Sequence, residues 1–276
     1  MLQIPAGQVI DAAQALKLAG RWALAGQLLA AASADTPAER AAVSMAKATV
    51  AVDADFWHRT ASPGAQAAVA EATSFITEAA GADAELTVLR YDLEMLRLQR
   101  DYSTELFRPD GPESGPGGRD PAVLDELAAR ARHLRETAPG RRRAGSAAFW
   151  AGVIDDNLRG DAASARSLFT EAVAIGEETG DDLLTSYGLR HLGYANDQAG
   201  DAGLARQQWR RAVELRQRAG CVPLTLAQQL LVAEATVKDD PGTALPVAAE
   251  VRQWAAALGI AILETGAAAL LEGAGR

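Results

Sequence analysis

The sequence predicts an all-α protein built from stacked antiparallel helix hairpins, on three observations. First, the second half repeats at a spacing of forty residues. Gly160-Asp161-Ala162 returns as Gly200-Asp201-Ala202, Ala165-Arg166 as Ala205-Arg206, Ala172-Val173 as Ala212-Val213 and Gly180 as Gly220. A fixed period in this range marks helical hairpins laid side by side, which build a continuous concave surface. Second, the chain is 49% hydrophobic but only 5% aromatic. Its apolar residues are mainly Ala and Leu, strong helix formers, and Ala lets helices approach closely. Third, no alternating β-branched run of strand length occurs. The rhythm and ordinary helix lengths predict roughly twelve helices.

Taken in order, residues 8–19 and 22–32 read as a first hairpin joined at Gly20-Arg21. Thr36-Pro37 opens a long helix, with Thr36 as N-cap and Pro37 in the first turn, and it carries Val43, Ala46, Val50 and Trp57. Ser62-Pro63 repeats that start signal for a helix reaching Ala80, which Gly81 ends. Residues 84–107 form another helix, with Leu86, Leu89, Leu93 and Leu96 as its apolar stripe. The Pro- and Gly-rich stretch 108–118 is the strongest break and is expected to be mobile. Asp120-Pro121 restarts a helix to about Thr137, and the well-formed repeats follow from about Gly145. The chain thus divides into N-terminal hairpins (1–107), a Pro/Gly loop (108–119) and C-terminal repeats (120–276). Because the hairpin rhythm runs on both sides of the loop, they are expected to form one continuous solenoid.

The best repeat unit reads Leu189-x2-Leu192-Gly193-x2-Asn196, then Ala205-x3-Trp209-x2-Ala212. This resembles the tetratricopeptide repeat (TPR) signature, in which a bulky residue and Leu-Gly are followed by Ala-x3-aromatic. Gly193 and Ala205 let the two helices of a hairpin approach, and Trp209 fills the space beside them. The preceding copy keeps Phe149, Ala165, Phe169 and Ala172 in register; the following copy has Ala244, Ala248 and Val251, and a faint one lies at Gly20-Arg21-Trp22 with Ala25, Leu28, Leu29 and Ala32. Asn196 stands where the family usually has an aromatic, Gln217 lies near the place of the usual closing Pro, and the period exceeds the typical 34. The resemblance implies a right-handed superhelical solenoid whose concave groove is lined by the first helix of each hairpin.

In the best repeat Leu189, Leu192 and Gly193 hold the hairpin together. The helical period then turns Tyr187, Arg190, Tyr194 and Asp197 toward the groove. The forty-residue offset adds Trp150, Ile154 and Asn157 from the preceding helix, and Leu230, Glu234 and Val237 from the next. Aromatic residues and Arg are favoured at binding hot spots. His191 lies beside the stripe and, with Tyr194 and Asp197, is the candidate for acid–base chemistry. Arg216, on the second helix of its hairpin, is expected to face outward. Tyr91 and Arg97 are the polar residues the N-terminal half would bring to the groove. Asp53, Asp55 and His58 cluster near a helix end; His58-Arg59 suits the negative end of a helix dipole, and no metal site is expected there.

Other signals set bounds. A net charge of −9 disfavours a nucleic-acid partner. The one basic run, Arg141-Arg142-Arg143, reads as a solvated helix start after Pro139-Gly140. The single cysteine, Cys221, excludes an internal disulfide and a Cys-based zinc site and is expected to be a buried thiol. Residues 1–5 lack the character of a signal peptide, and the apolar stretch 255–263 is too short to span a membrane. A cytoplasmic, bacterial protein is the expectation. No phosphate loop, nucleophile elbow, HExxH or other cofactor motif occurs, and no cofactor is expected.

The leading expectation is an interaction module, as in bacterial regulators, that clamps a peptide or protein segment in its groove. The alternative is a small-molecule-binding protein or enzyme of specialised metabolism, with its pocket enclosed by the solenoid. Groove shape separates them, since an open trough suits a peptide and a closed pocket with converging polar groups suits a small ligand. The Ala/Leu-rich stretch 267–271 raises a third possibility, a homodimer through the last hairpin.

Overall fold

The computed structural model describes residues 4–79, 84–108 and 115–273. Of the segment expected to be mobile, residues 109–114 lie outside the described part, as does the expected helix stop at Gly81. The described residues form thirteen α-helices and no strand. The N-terminal half comprises α1 (Ala6–Leu18), α2 (Trp22–Ala30), α3 (Pro37–His58), α4 (Pro63–Glu78) and α5 (Ala84–Leu106). Then come α6 (Pro121–Glu136), α7 (Arg141–Val153), a π-helical stretch (Ile154–Arg159), α8 (Ala162–Thr179), α9 (Asp182–Gln198) and α10 (Ala202–Arg218). The last three helices are α11 (Val222–Thr236), α12 (Pro241–Leu258) and α13 (Ala261–Gly273). Each helix packs on its neighbours in sequence, and α5 packs on α6. No helix among the described residues is long and apolar enough to cross a membrane.

Local chemistry accounts for the boundaries. Thr36 and Glu39 form a reciprocal capping box at the start of α3, Ser62 caps α4 and Asp120 caps α6, each followed by Pro. In the repeats the turn is a Gly-Asp pair. Gly160, Gly180 and Gly200 all have positive φ, which glycine adopts without a Cβ penalty. The Asp that follows each one accepts a hydrogen bond from a backbone N–H of the next helix. Gly220 also has positive φ, but its successor is Cys221, and α11 begins without a side-chain cap.

The repeat positions are buried as the pattern predicts. Ala165, Phe169 and Ala172 of α8, and Ala205, Trp209 and Ala212 of α10, are all in the core. Trp209 fits against Gly193 and donates its Nε1–H to the Arg190 carbonyl at 3.0 Å. It also packs with Leu231 of the next hairpin. The basic run at 141–143 starts α7, and its three arginines pair with Glu178, Asp181 and Asp92, fastening α7 to α5, α8 and the start of α9.

The two ends of the chain meet. Val9, Ala13, Trp22, Val50 and Trp57 share one apolar cluster with Leu226, Leu230, Val251, Ile260, Leu263 and Ala267. A Cβ at Gly20 would stand 3.1 Å from the Pro223 side chain and 3.4 Å from Leu258. The buried side of α13, with Leu263 and Ala267, packs mainly on α12 and α11 and also meets α3. The array curls until its last hairpins dock on its first, and its concave side becomes a deep cavity that stays open to solvent on one side.

Candidate functional site

That cavity has a volume of about 1030 Å³. Residues from both ends line it: Gln14 and Lys17 of α1, Asp53 and Trp57 of α3, Leu224 of α11 and Leu263 of α13. Between them α5 contributes Tyr102, α7 Trp150, the π-helical stretch Asp156 and Asn157, and α8 Phe169.

The first helix of the best repeat supplies the densest polar wall. Tyr187, Arg190, His191 and Tyr194 of α9 all face the cavity, at successive turns of one helix. Tyr187 stacks on Phe149, with centroids 4.9 Å apart. His191 stacks on Phe169 at 4.5 Å, and its Nδ1 lies 3.4 Å from Asp156 Oδ2. Burial is the main influence on this imidazole and lowers its pKa, so the ring is neutral at pH 7 and offers one donor and one acceptor. Burial likewise raises Tyr187 and Tyr102, keeping both phenols protonated. Trp150 meets the Tyr102 ring edge-on at 5.5 Å, and Asn157 Nδ2 donates to the Tyr102 hydroxyl. Tyr194, 38% exposed, stands where the cavity opens to solvent.

Of the groove residues expected from the sequence, the structure brings together Trp150, Asn157, Tyr187, Arg190, His191 and Tyr194. Five others lie elsewhere; one of them, Val237, follows the last turn of α11 and does not line the cavity. Ile154 is fully buried in the core. The cavity-facing side of this helix runs one residue earlier than the offset assumes, through Phe149, Trp150 and Val153 to Asp156 and Asn157. Leu230 is spent on the cluster that joins the two ends of the chain. Asp197 and Glu234 are exposed, at or beyond the last turn that faces the cavity. Tyr91 and Arg97 do not reach the cavity either. The Tyr91 hydroxyl donates to backbone carbonyls of Leu134 and Arg143, and Arg97 bonds Glu94 and Thr73. Asp53, Asp55 and His58 separate as well. Asp53 accepts the Trp22 indole N–H at 2.6 Å, Asp55 accepts from Thr60 and Ser62, and His58 lies against the Trp22 ring.

The expectation for Arg216 is overturned. It is 1% exposed and lines the cavity. Its Nε donates to Ser186 Oγ at 3.2 Å and its Nη1 to the Leu224 carbonyl at 2.9 Å, while Cζ lies 5.7 Å from the Tyr187 ring centroid. Burial and the nearby Arg190 charge pull its pKa down to about 9, which leaves it protonated at neutral pH. The sequence carries the signal. Ala205, Trp209, Ala212 and Arg216 follow at four, three and four, so Arg216 continues the core stripe of α10. The equivalent positions in the neighbouring repeats are Gly176, forty residues before, and Ala255, thirty-nine residues after.

Cys221 is buried, lines the cavity beside Arg216, and has its thiol pushed up chiefly by burial. A second cleft of about 190 Å³ lies between α6, α7 and α8. Its Asp155 is already bound to Arg159 and Ser164, and its Arg135 pairs with Glu171 through Nη2 while Nε is buried without an acceptor. No family model matches the chain, and no curated protein matches it in sequence.

Proposed function

We propose that the chain is a TPR-like binding module that takes a small organic molecule in its central cavity. The observation that carries this reading is the docking of the last hairpins on the first, which turns an open trough into one deep cavity lined from both ends. A cavity of about 1030 Å³ is at the upper end of the range for small-ligand sites, which also pair apolar walls with a few converging polar groups. Phe149, Trp150, Phe169 and Tyr187 supply the apolar walls; Arg190, Arg216, Asn157 and the His191–Asp156 pair supply the polar groups. A bacterial regulator's sensor domain, acting through a partner, is a role this design suits. A peptide segment is the second reading, favoured by the likeness of the hairpins to peptide-binding repeats and by the solvent-facing mouth at Tyr194.

Native mass spectrometry of the purified chain tests the proposal. The expected result is a non-peptidic mass that stays bound under native conditions and is lost on acid unfolding. Ala227→Trp, which fills the cavity from its wall, should abolish that retention. A bound polypeptide would select the second reading, and retention undiminished in the folded Ala227→Trp variant would place the ligand outside the cavity.

A further inference from the structure

Among the described residues, the cavity lining carries six basic side chains: Lys17, Arg59, Arg108, Arg166, Arg190 and Arg216. Against them stand two carboxylates, Asp53 and Asp156. Arg108 is partly offset by Glu105 at 3.5 Å, but the excess is still positive. The whole chain carries −9. An acidic protein has thus gathered positive charge around this cavity, with Arg59 and Arg108 exposed and Arg190 and Arg216 inside, where low-dielectric walls concentrate the field.

Two of these charges, Arg190 and Arg216, are desolvated and, among the described residues, make no ion pair at contact distance. Arg190 Nη1 donates to Gln228 Oε1 at 3.1 Å, and its Cζ lies 5.6 Å from the Tyr194 ring. Arg216 bonds a hydroxyl and a carbonyl. Among the described residues, neither guanidinium has a carboxylate within ion-pair distance; Glu234, whose charge Arg190 feels, is exposed on α11. The Arg216 Nη2 group is buried with no protein acceptor, as is Gln228 Nε2, which does not line the cavity. A buried charge and buried donors left unspent are costly, and proteins carry them where something else completes the set.

The repeat sharpens the point. At the turn before α11 the Gly-Asp pair becomes Gly220-Cys221. The Asp that caps α8, α9 and α10 is missing at the turn beside Arg216, where a carboxylate would neutralise the guanidinium. The pattern's small residue has become Arg216, and its acid has become a thiol.

We infer that the cavity is built for an organic oxyanion, a carboxylate, phosphate or sulfonate on an aromatic or apolar body, whose charged group is held by Arg190 and Arg216. This rests on the cavity being the binding site. Guanidinium groups match such oxyanions with paired N–H donors. Phe149, Trp150 and Tyr187 would contact the body.

The test uses two dyes of similar shape, the anionic anilinonaphthalene sulfonate and the neutral phenylnaphthylamine, titrated into the full chain by fluorescence. The expected result is that the folded wild type binds the anionic dye roughly tenfold or more tightly than the neutral one. Arg216→Met, Arg190→Gln and Cys221→Asp should each erase most of that preference and leave neutral-dye binding in place. Near-ultraviolet circular dichroism establishes that each variant is folded. Cys221→Asp keeps both arginines, so loss of preference there reports charge pairing instead of disrupted packing. Displacement of the anionic dye by benzoate or by phenyl phosphate, but not by benzamide, would support the inference and distinguish the two headgroups. Equal binding of both dyes, unaltered by the variants, would overturn the anion inference while leaving the cavity as a binding site. Failure of both dyes to bind, or binding unaffected by Ala227→Trp, would overturn both.

Discussion

Gly193 and Trp209 are made for each other: a Cβ at Gly193 would collide with the indole Nε1 that bonds the Arg190 carbonyl. The contact ties the cavity-facing helix α9 to its partner α10. Gly193→Ala forces the indole aside and should cost about 1–3 kcal/mol, as overpacking does. Trp209→Ala, at 2% exposure, should cost about 3–5 kcal/mol. Urea unfolding measures both, and a loss under about 1 kcal/mol for Trp209→Ala would mean the indole is not part of the core.

Arg216 should be retained at the expense of stability. Replacing it with Met removes a desolvated charge without a carboxylate partner. The variant is expected to be more stable by about 1 kcal/mol or more, even though it loses two hydrogen bonds. Thermal melts of the ligand-free chain decide it; a clear fall in Tm would show that the guanidinium is a structural bolt.

Cys221→Asp restores the cap found at the neighbouring turns. It should stabilise α11 by about 1 kcal/mol. An unchanged or lower Tm would show that the local backbone does not accept the cap.

His191 gives the stability curve a pH dependence of known sign. Its folded pKa lies below the ordinary 6.5, mainly through burial. The unfolded chain therefore takes up the proton first as pH falls. The contribution is complete above about 6.5 and is lost below it, with a slope of at most about 1.4 kcal/mol per pH unit. His191→Gln should flatten the wild-type decline between about pH 6.5 and 5. An unchanged slope would mean that the ring titrates freely.

Much of this was legible in the sequence. The Gly-Asp turns, the Pro-led helix starts and the small residues Ala165 and Ala205 are local signals, and the structure has them where the pattern puts them. Six of the expected groove residues converge for the same reason, since facing follows from the helical period. What was not legible depends on accumulated or displaced geometry. Docking of the last hairpins on the first is the sum of many small rotations, none encoded at one position. Asp156 faces the cavity and Ile154 the core because the facing side of α7 already runs one residue earlier than the forty-residue offset from α9 puts it. Arg216 was within reach, but assigning its helix an outward face overrode the four-three-four spacing that marks it as buried.

A helical-repeat chain ordinarily lengthens by duplicating a unit, because each unit touches only the next. In this chain the last units also touch the first. Removing a hairpin from between them would part that contact and open the wall. Deletions inside the array should therefore be tolerated less well than in an open solenoid, where each unit answers only to its neighbours.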